Sequence, residues 1–219
     1  MYAAEKSAQF FPQVFSQKGT TMRTLSLQRV SSLLVVCVVS LLLQSACTSH
    51  AVAQDPSNFT IGQGAYLLVA PIDWKRVPPK TSIVETEFSI PAAELDALPG
   101  RLTVMGAGGS VAANVDRWYG QFTQPDGSAT KDKAVVKTLK IANCTVTLVD
   151  LSGTFKDSPG GPFGGGQSVD RPDYRMFAAI IETPKEGSYF LKFYGPGKTV
   201  AQHVDGFRTM IAGMVATAK

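Results

Sequence analysis

The sequence predicts an α+β fold in which two principal helices pack on a mainly antiparallel sheet. Two segments, 111–122 and 200–214, repeat apolar residues at steps of three and four, which is the period of a helix with one buried face. Short apolar runs bounded by Gly, Pro and Asn predict the strands. Residues 183–187 join two of these runs, and so short a connection favours an antiparallel hairpin over a crossover.

The strands alternate with turn-rich connections along the chain. They are predicted, in order, at 66–70, 83–90, 101–105, 135–141, 144–151, 176–182 and 188–194. In the second of these, Ile83, Phe88 and Ile90 are expected to face the core around the acidic residues Glu85 and Glu87. The glycine-rich segment 157–171 is predicted to be a mobile surface flap, because so much glycine is costly to fix in one conformation.

Both helices have start signals and one apolar stripe. Ser110 follows a glycine-rich turn and can cap the first helix, whose stripe is Val111, Val115, Trp118 and Phe122. Thr199 and Gln202 form a capping box for the last helix. The stripe of that helix is Val200, Val204, Phe207, Ile211 and Met214.

Residues 22–53 have the pattern of an export signal. A short basic head at Arg23 and Arg29 precedes an apolar core at 33–43, and a small-x-small cleavage site closes the segment at Ala53. The mature protein is therefore predicted to begin at Gln54 and to be periplasmic or extracellular. Residues 1–21 are interpreted as an upstream extension, 54–65 as a flexible N-terminal arm and 66–219 as a single α+β domain.

A lipoprotein signal is an alternative interpretation of the same leader. Cys47 would then be acylated, and Ser45 and Ala46 before it are suitably small. Gln44 stands where such signals usually carry an apolar residue, so cleavage after Ala53 is favoured. A transmembrane anchor is not predicted, because the apolar core is shorter than the roughly 20 residues that span a bilayer.

The charge of the chain does not indicate a nucleic-acid partner, and none is predicted. The chain carries 21 basic and 17 acidic residues, and 17 and 16 of these follow Ala53, a net charge of +1. Nucleic-acid binding requires a clustered basic surface, and the sequence shows none.

Chemistry-bearing residues are scarce in the mature chain. Cys37 and Cys47 lie in the leader, so Cys144 is left without a disulfide partner and is predicted to be a small buried side chain. His203 lies off the apolar stripe of the last helix and is expected to face solvent. No cofactor, metal site or catalytic residue is predicted.

The candidate binding residues lie on the first helix. Asn114, Arg117 and Gln121 recur at steps of three and four beside Trp118, and so form a polar row. Such a row can brace the helix against the sheet by hydrogen bonds, or it can recognise a ligand or a partner protein. The bracing interpretation is favoured, because the row offers specificity but nothing reactive.

This helix also carries a resemblance to a known group. The motif Asn-x-x-Arg-Trp-x-Gly-Gln-Phe, from Asn114 to Phe122, resembles that of a group of uncharacterised exported bacterial proteins. The likeness spans roughly 74–214, including 147–155, 177–181 and 193–196. The order of elements is similar to the PsbP-like α/β/α sandwich. That resemblance implies a binding module, because members of this fold mostly act as non-catalytic docking subunits.

The sequence therefore favours a non-enzymatic exported binding or accessory module of the bacterial cell envelope. Its expected partner is an envelope protein or a small ligand. The alternative is an extracytoplasmic hydrolase that uses His203 together with the 157–171 loop.

Overall fold

The computed structural model describes residues 57–158 and 167–218. The helices are α1 (Val111–Tyr119), α2 (Thr130–Lys133) and α3 (Gly197–Ala212). The strands are β1 (Asn58–Ile61), β2 (Tyr66–Val69), β3 (Lys75–Val77), β4 (Thr86–Ile90), β5 (Gly100–Ala107), β6 (Phe122–Thr123), β7 (Val135–Ile141), β8 (Cys144–Asp157), β9 (Val169–Glu182), β10 (Ser188–Pro196) and β11 (Val215–Ala216). The predicted α+β class is confirmed.

The main sheet is antiparallel throughout. Its strands follow the order β3-β4-β5-β10-β9-β8-β6, and β7 also pairs with β8. The β7–β8 hairpin turns at Ala142 and Asn143, whose φ angles of 48° and 64° are those a tight hairpin turn requires. A smaller sheet has the order β1-β2-β11. Strand β10 is therefore central, with β5 on one side and β9 on the other.

Helices α1 and α3 cover opposite faces of the main sheet. Strand β10 shows the alternation, since Leu191 and Phe193 belong to the core under α3 while Phe190 belongs to the core under α1. Phe207 of α3 is fully buried, and Trp118 of α1 meets the Phe190 ring edge-on at 5.3 Å between centroids. The predicted packing of two helices on a sheet is confirmed, and it leaves side chains such as Lys192 on the α1 face.

The start of the described chain is more ordered than the sequence predicted. Residues 58–61 were expected within a flexible arm, but they form β1 and pair with β2. Phe59 and Ile61 of this strand are buried in the core under α3. Burial of these two side chains supplies the stabilisation that a solvated arm would lack.

Two side chains near β4 have the opposite burial to that expected. Ile83 precedes the strand and is 48% exposed, whereas Phe88 and Ile90 are buried as predicted. Glu87 is only 2% exposed because Arg101 on the neighbouring strand forms an ion pair with it.

Helix α1 ends at Tyr119, earlier than predicted, and Phe122 is buried from β6 instead.

Helix α3 begins earlier than predicted and is capped from a distance. Thr199 lies inside the first turn, so its capping box is wrong. The Thr199 N–H and hydroxyl both donate to Asp96 Oδ2, at 2.8 and 2.7 Å. The carboxylate thus accepts hydrogen bonds from the first turn, where backbone N–H groups have no partner within the helix, and it lies at the positive end of the helix dipole.

Residues 157 and 169–171 of the predicted flap lie in strands, because β8 runs to Asp157 and β9 begins at Val169. Residues 159–166 lie outside the described part of the chain, as do the extension 1–21, the export signal 22–53 and Cys47. Among the described residues, none of the helices is long and apolar enough to cross a bilayer.

Candidate functional site

The polar row of Asn114, Arg117 and Gln121 divides into one bracing residue and two residues that face a cavity. Asn114 is buried, and its amide donates to the carbonyl oxygens of Gly108 and Ser110 at 3.0 and 2.9 Å. These bonds tie α1 to the turn that precedes it. The Ser110 hydroxyl also accepts from the Ala113 N–H, which confirms the predicted cap.

Arg117 is exposed on α1, but two contacts fix the orientation of its guanidinium group. Its Nη2 donates to Asn114 Oδ1 at 2.8 Å, and its guanidinium carbon lies 5.9 Å from the centroid of the Phe190 ring. The hydrogen bond and the ring together fix the guanidinium beside the sheet.

A cavity of about 450 Å³ lies between α1 and strands β5 and β10. Arg117, Trp118 and Gln121 line it, so three of the four candidate residues share one site. The other basic lining residues are Lys80, Arg101, Lys156 and Lys192, and the other aromatic ones are Phe155, Phe190 and Tyr194. We call this space the α1 cavity.

Lys192 projects from the central strand β10 into the α1 cavity. Its Nζ donates to Gln121 Oε1 at 2.5 Å and lies 5.3 and 5.1 Å from the ring centroids of Phe155 and Tyr194. Burial, together with the charges of Arg117 and Arg101, lowers the pKa of this ammonium group to about 7, against a weaker opposing effect of Asp157. Lys192 therefore changes charge near neutral pH.

A polar network forms the wall next to Lys192. Arg101 pairs with Glu87 through two bonds of 2.7 and 2.9 Å, and it also donates to the Tyr194 hydroxyl. Burial tends to raise the pKa of Glu87, but the hydrogen bonds from Arg101 and the Lys80 backbone outweigh it and lower the pKa. Glu87 thus stays ionised and neutralises Arg101.

A second cavity of about 460 Å³ adjoins the first along the same sheet face. The two spaces share Lys80, Arg101, Asp157 and Tyr194 in their walls. Asp157 at the end of β8 is paired with Arg171 near the start of β9, at 3.4 Å. Both acids near the cavities, Glu87 and Asp157, therefore already have an arginine partner.

His203 does not face solvent, contrary to the prediction. Its Nδ1 accepts a bond of 3.4 Å from Trp74 Nε1, and its Nε2 lies 3.0 Å from the Pro91 carbonyl oxygen. A ring that accepts at Nδ1 and donates at Nε2 has both nitrogens engaged. Trp74 belongs to the core under α3, so His203 lies on the face of the sheet opposite Lys192.

The remaining candidates are Cys144 and clusters of residues that could bind a metal. Cys144 is fully buried in the core under α3, as predicted. No cluster of His, Cys, Asp and Glu suited to a metal is found within residues 57–158 and 167–218.

Sequence reasoning missed Lys192. Its signal was a single lysine in the otherwise apolar and aromatic run of β10, Tyr-Phe-Leu-Lys-Phe-Tyr. A charge in the middle of a central strand is costly to bury unless it has polar partners, so this position could have been marked as a candidate.

Comparison with known proteins yields distant structural likenesses. No protein-family model matches the sequence, and no curated protein matches it. The solved structures that are similar include cyanobacterial PsbP (CyanoP) from Synechocystis sp. PCC 6803, at a TM-score of 0.44 and 9% identity, covering 78% of this chain and 98% of that one.

Two further similar structures come from other bacteria. LpqN, involved in cell envelope biogenesis of Mycobacterium tuberculosis, has a TM-score of 0.41 and 10% identity over 70% of this chain and 83% of its own. PA94, a protein of unknown function from Pseudomonas aeruginosa, has a TM-score of 0.41 and 10% identity over 74% and 97%. Likenesses this distant carry no functional argument, so a function must rest on the α1 cavity itself.

Proposed function

We propose that this protein is an exported, non-enzymatic binding module and that the α1 cavity is its ligand site. One observation carries the proposal: Arg117, Trp118 and Gln121 of the predicted row line one cavity together with Lys192 from the opposite wall. A space of about 450 Å³ lies within the range of about 300–1,000 Å³ that is usual for small-molecule sites. Of the two partner classes expected from the sequence, the small ligand is therefore favoured.

The character of the lining supports binding over catalysis. Guanidinium, ammonium and amide groups are held by hydrogen bonds around aromatic walls, an arrangement that orients a ligand. The hydrolase alternative loses support, because both ring nitrogens of His203 are engaged inside the opposite core. Catalysis would need that ring to reach a substrate.

A dye titration tests whether the α1 cavity binds small molecules. The probe is N-phenyl-1-naphthylamine, a neutral dye whose fluorescence rises in apolar sites. Met105 lines the cavity and is partly buried, so Met105→Trp should fill the space, whereas Ile72→Trp places the same ring at a site 85% exposed. We expect saturable enhancement in the unaltered protein and in Ile72→Trp, and loss of it in Met105→Trp. Equal enhancement in all three would refute the cavity as the site.

Export is the second part of the proposal, and the leader at 22–53 supports it. Intact-mass measurement of the protein from the envelope fraction tests it. A chain that begins at Gln54 supports cleavage, and a diacylated chain that begins at Cys47 supports the lipoprotein alternative. A chain that retains Met22 would contradict both.

A further inference from the structure

We infer that the ligand of the α1 cavity is an amphipathic anion, with an acidic head on Lys192 and Arg117 and an apolar body against the lining at Ile83 and Met105. This inference rests on the proposed function and names the chemical class of its ligand. It follows from the balance of charge in the cavity, from the nature of the walls and from the position of Lys192.

The cavity has more positive charge than its own acids neutralise. Five basic residues line it against one acidic residue, Asp157. Asp157 pairs with Arg171, and Arg101 is neutralised by Glu87. Among the described residues, Lys192 and Arg117 form no ion pair with any carboxylate. Lys80 and Lys156 also take part in none of these ion pairs, but both are exposed. Lys192 and Arg117 are instead held over aromatic rings of the cavity, so these two cations are the ones available to an anion with an apolar body.

Lys192 and Arg117 also repel each other across the cavity. After burial, the charge of Arg117 is the largest influence that lowers the pKa of Lys192. Of the three donors on the ammonium group, the Gln121 oxygen takes one. An anion placed between the two cations would accept the remaining donors and replace a repulsion with two attractions.

The walls around these cations are apolar. Trp118, Phe155 and Phe190 are each at most 5% exposed, and all three belong to the core under α1. Met105 and Val84 continue the apolar lining towards the rim. These rings leave little surface to cover, but Ile83 also lines the cavity and is 48% exposed, and Met105 is partly exposed. A small inorganic anion would leave these two side chains in contact with water, whereas an apolar body would bury them at a gain of roughly 25 cal/mol per Å².

Binding of the anion should be coupled to protonation of Lys192. The charged groups that face it are Arg117 from α1, Arg101 from β5 and Asp157 from β8, while Lys80 and Lys156 stand further along the walls. An anion favours the charged form of Lys192. Affinity should therefore be greatest below about pH 7 and should fall by up to tenfold per pH unit above it.

Calorimetric titration with three probes tests the ligand class. Octanoate has the acidic head and the apolar body, octanol has the body alone, and acetate has the head alone. Each is titrated into the unaltered protein, Lys192→Met, Arg117→Gln and the control Lys137→Met. Arg117 is exposed, so Arg117→Gln is expected to fold even if Lys192→Met does not. Lys137 is exposed on β7, away from the cavity.

Octanoate is expected to bind at pH 6 at least tenfold more tightly than octanol or acetate. Lys192→Met and Arg117→Gln should each weaken octanoate tenfold or more, while Lys137→Met should not. Titration at pH 8 in buffers of different ionisation enthalpy should show proton uptake.

Equal affinity for octanol and octanoate would overturn the inferred class, as would equal affinity for acetate. If octanoate fails to bind while the dye enhancement is still lost in Met105→Trp, the α1 cavity remains a ligand site but its ligand is not an amphipathic anion. If the dye is also insensitive to Met105→Trp, the proposed function itself fails.

Discussion

The Lys192 ammonium nitrogen lies 2.5 Å from Gln121 Oε1 and thereby joins the middle of the central strand β10 to the segment that follows α1. The two residues are 71 positions apart in the sequence. Gln121 belongs to the polar row that the sequence identified, whereas Lys192 does not. Their contact joins the two sides of the α1 cavity, one formed by the polar row and the other by β10.

Replacement of Lys192 by methionine should stabilise the protein at low pH. The folded-state pKa is lowered to about 7, so the folded chain disfavours the charged ammonium that the unfolded chain carries. This cost is complete below pH 7 and disappears as the pH rises to the ordinary lysine value near 10.4. Urea unfolding of Lys192→Met should show a gain on the order of 1–3 kcal/mol at pH 6 and a smaller gain at pH 9.5. An equal gain at both values would contradict the lowered pKa.

Asn114 and Arg117 should have different roles despite their hydrogen bond. Asn114→Ala removes a buried amide that holds the Gly108 and Ser110 carbonyls, and it should cost about 1–3 kcal/mol of unfolding free energy. Arg117→Ala removes an exposed side chain and should cost less than about 1 kcal/mol. Chemical denaturation of both variants measures the difference. A larger loss in Arg117→Ala would mean that this residue braces the helix after all.

The Glu87–Arg101 ion pair should contribute to stability above acidic pH. Glu87→Gln leaves the partly buried Arg101 without its charge partner and should cost on the order of 2 kcal/mol or more. In the unaltered protein, the lowered pKa of Glu87 means that this contribution is present above its ordinary pKa and is lost as the pH falls through the folded-state value.

Asp126→Asn is the matched control for Glu87→Gln, because it disrupts an ion pair whose two side chains are well exposed. Thermal unfolding at pH 7 should show a clear loss for Glu87→Gln and none for the control. Equal losses of thermal stability in the two variants would show that burial does not make the Glu87–Arg101 ion pair more stabilising than an exposed pair.

Asp96 should cap α3 from outside the helix. Asp96→Ala removes the acceptor of both Thr199 donors and should cost about 1–2 kcal/mol. Amide exchange in the first turn of α3 should become faster. Asp205→Ala, which breaks an exposed pair within the helix, serves as the control and should leave that exchange unchanged. Unchanged exchange in Asp96→Ala would refute the cap.

The periodic elements of the fold were predictable because their signals are local. The apolar stripes of 111–122 and 200–214 contain the spacing that makes a helix pack on a sheet, and Trp118 and Phe207 are buried accordingly. Hairpins at 142–143 and 183–187 are likewise determined by a few turn residues.

The errors arise where a distant residue decides the environment. Strand β1 is ordered by pairing with β2, a short run that gives little periodic signal. His203 is held by Trp74, 129 positions earlier, and by Pro91, 112 positions earlier. Glu87 is buried because Arg101 stands beside it on the next strand. No pattern within a single segment indicates these partners.

Only part of the candidate site could be predicted, because local spacing identifies some of its residues and distant contacts supply the others. Arg117 and Gln121 stand out in the sequence because their spacing is helical, although Gln121 lies just beyond the end of α1. Lys192 joins them through strand pairing of β10 with β5 and β9 and through the packing of α1 on that sheet. The sequence therefore indicated one wall of the cavity, and the fold supplied the other.

The central claim is that an amphipathic anion binds beside α1, and tryptophan fluorescence tests it most directly. The chain has two tryptophans, Trp118 at the α1 cavity and Trp74 in the core on the opposite face. Octanoate should change the emission of the unaltered protein and of Trp74→Phe, and this change should be absent in Trp118→Phe, provided that calorimetry shows octanoate still bound to it. A response that persists in Trp118→Phe and disappears in Trp74→Phe would place the ligand on the wrong face of the sheet and contradict the account.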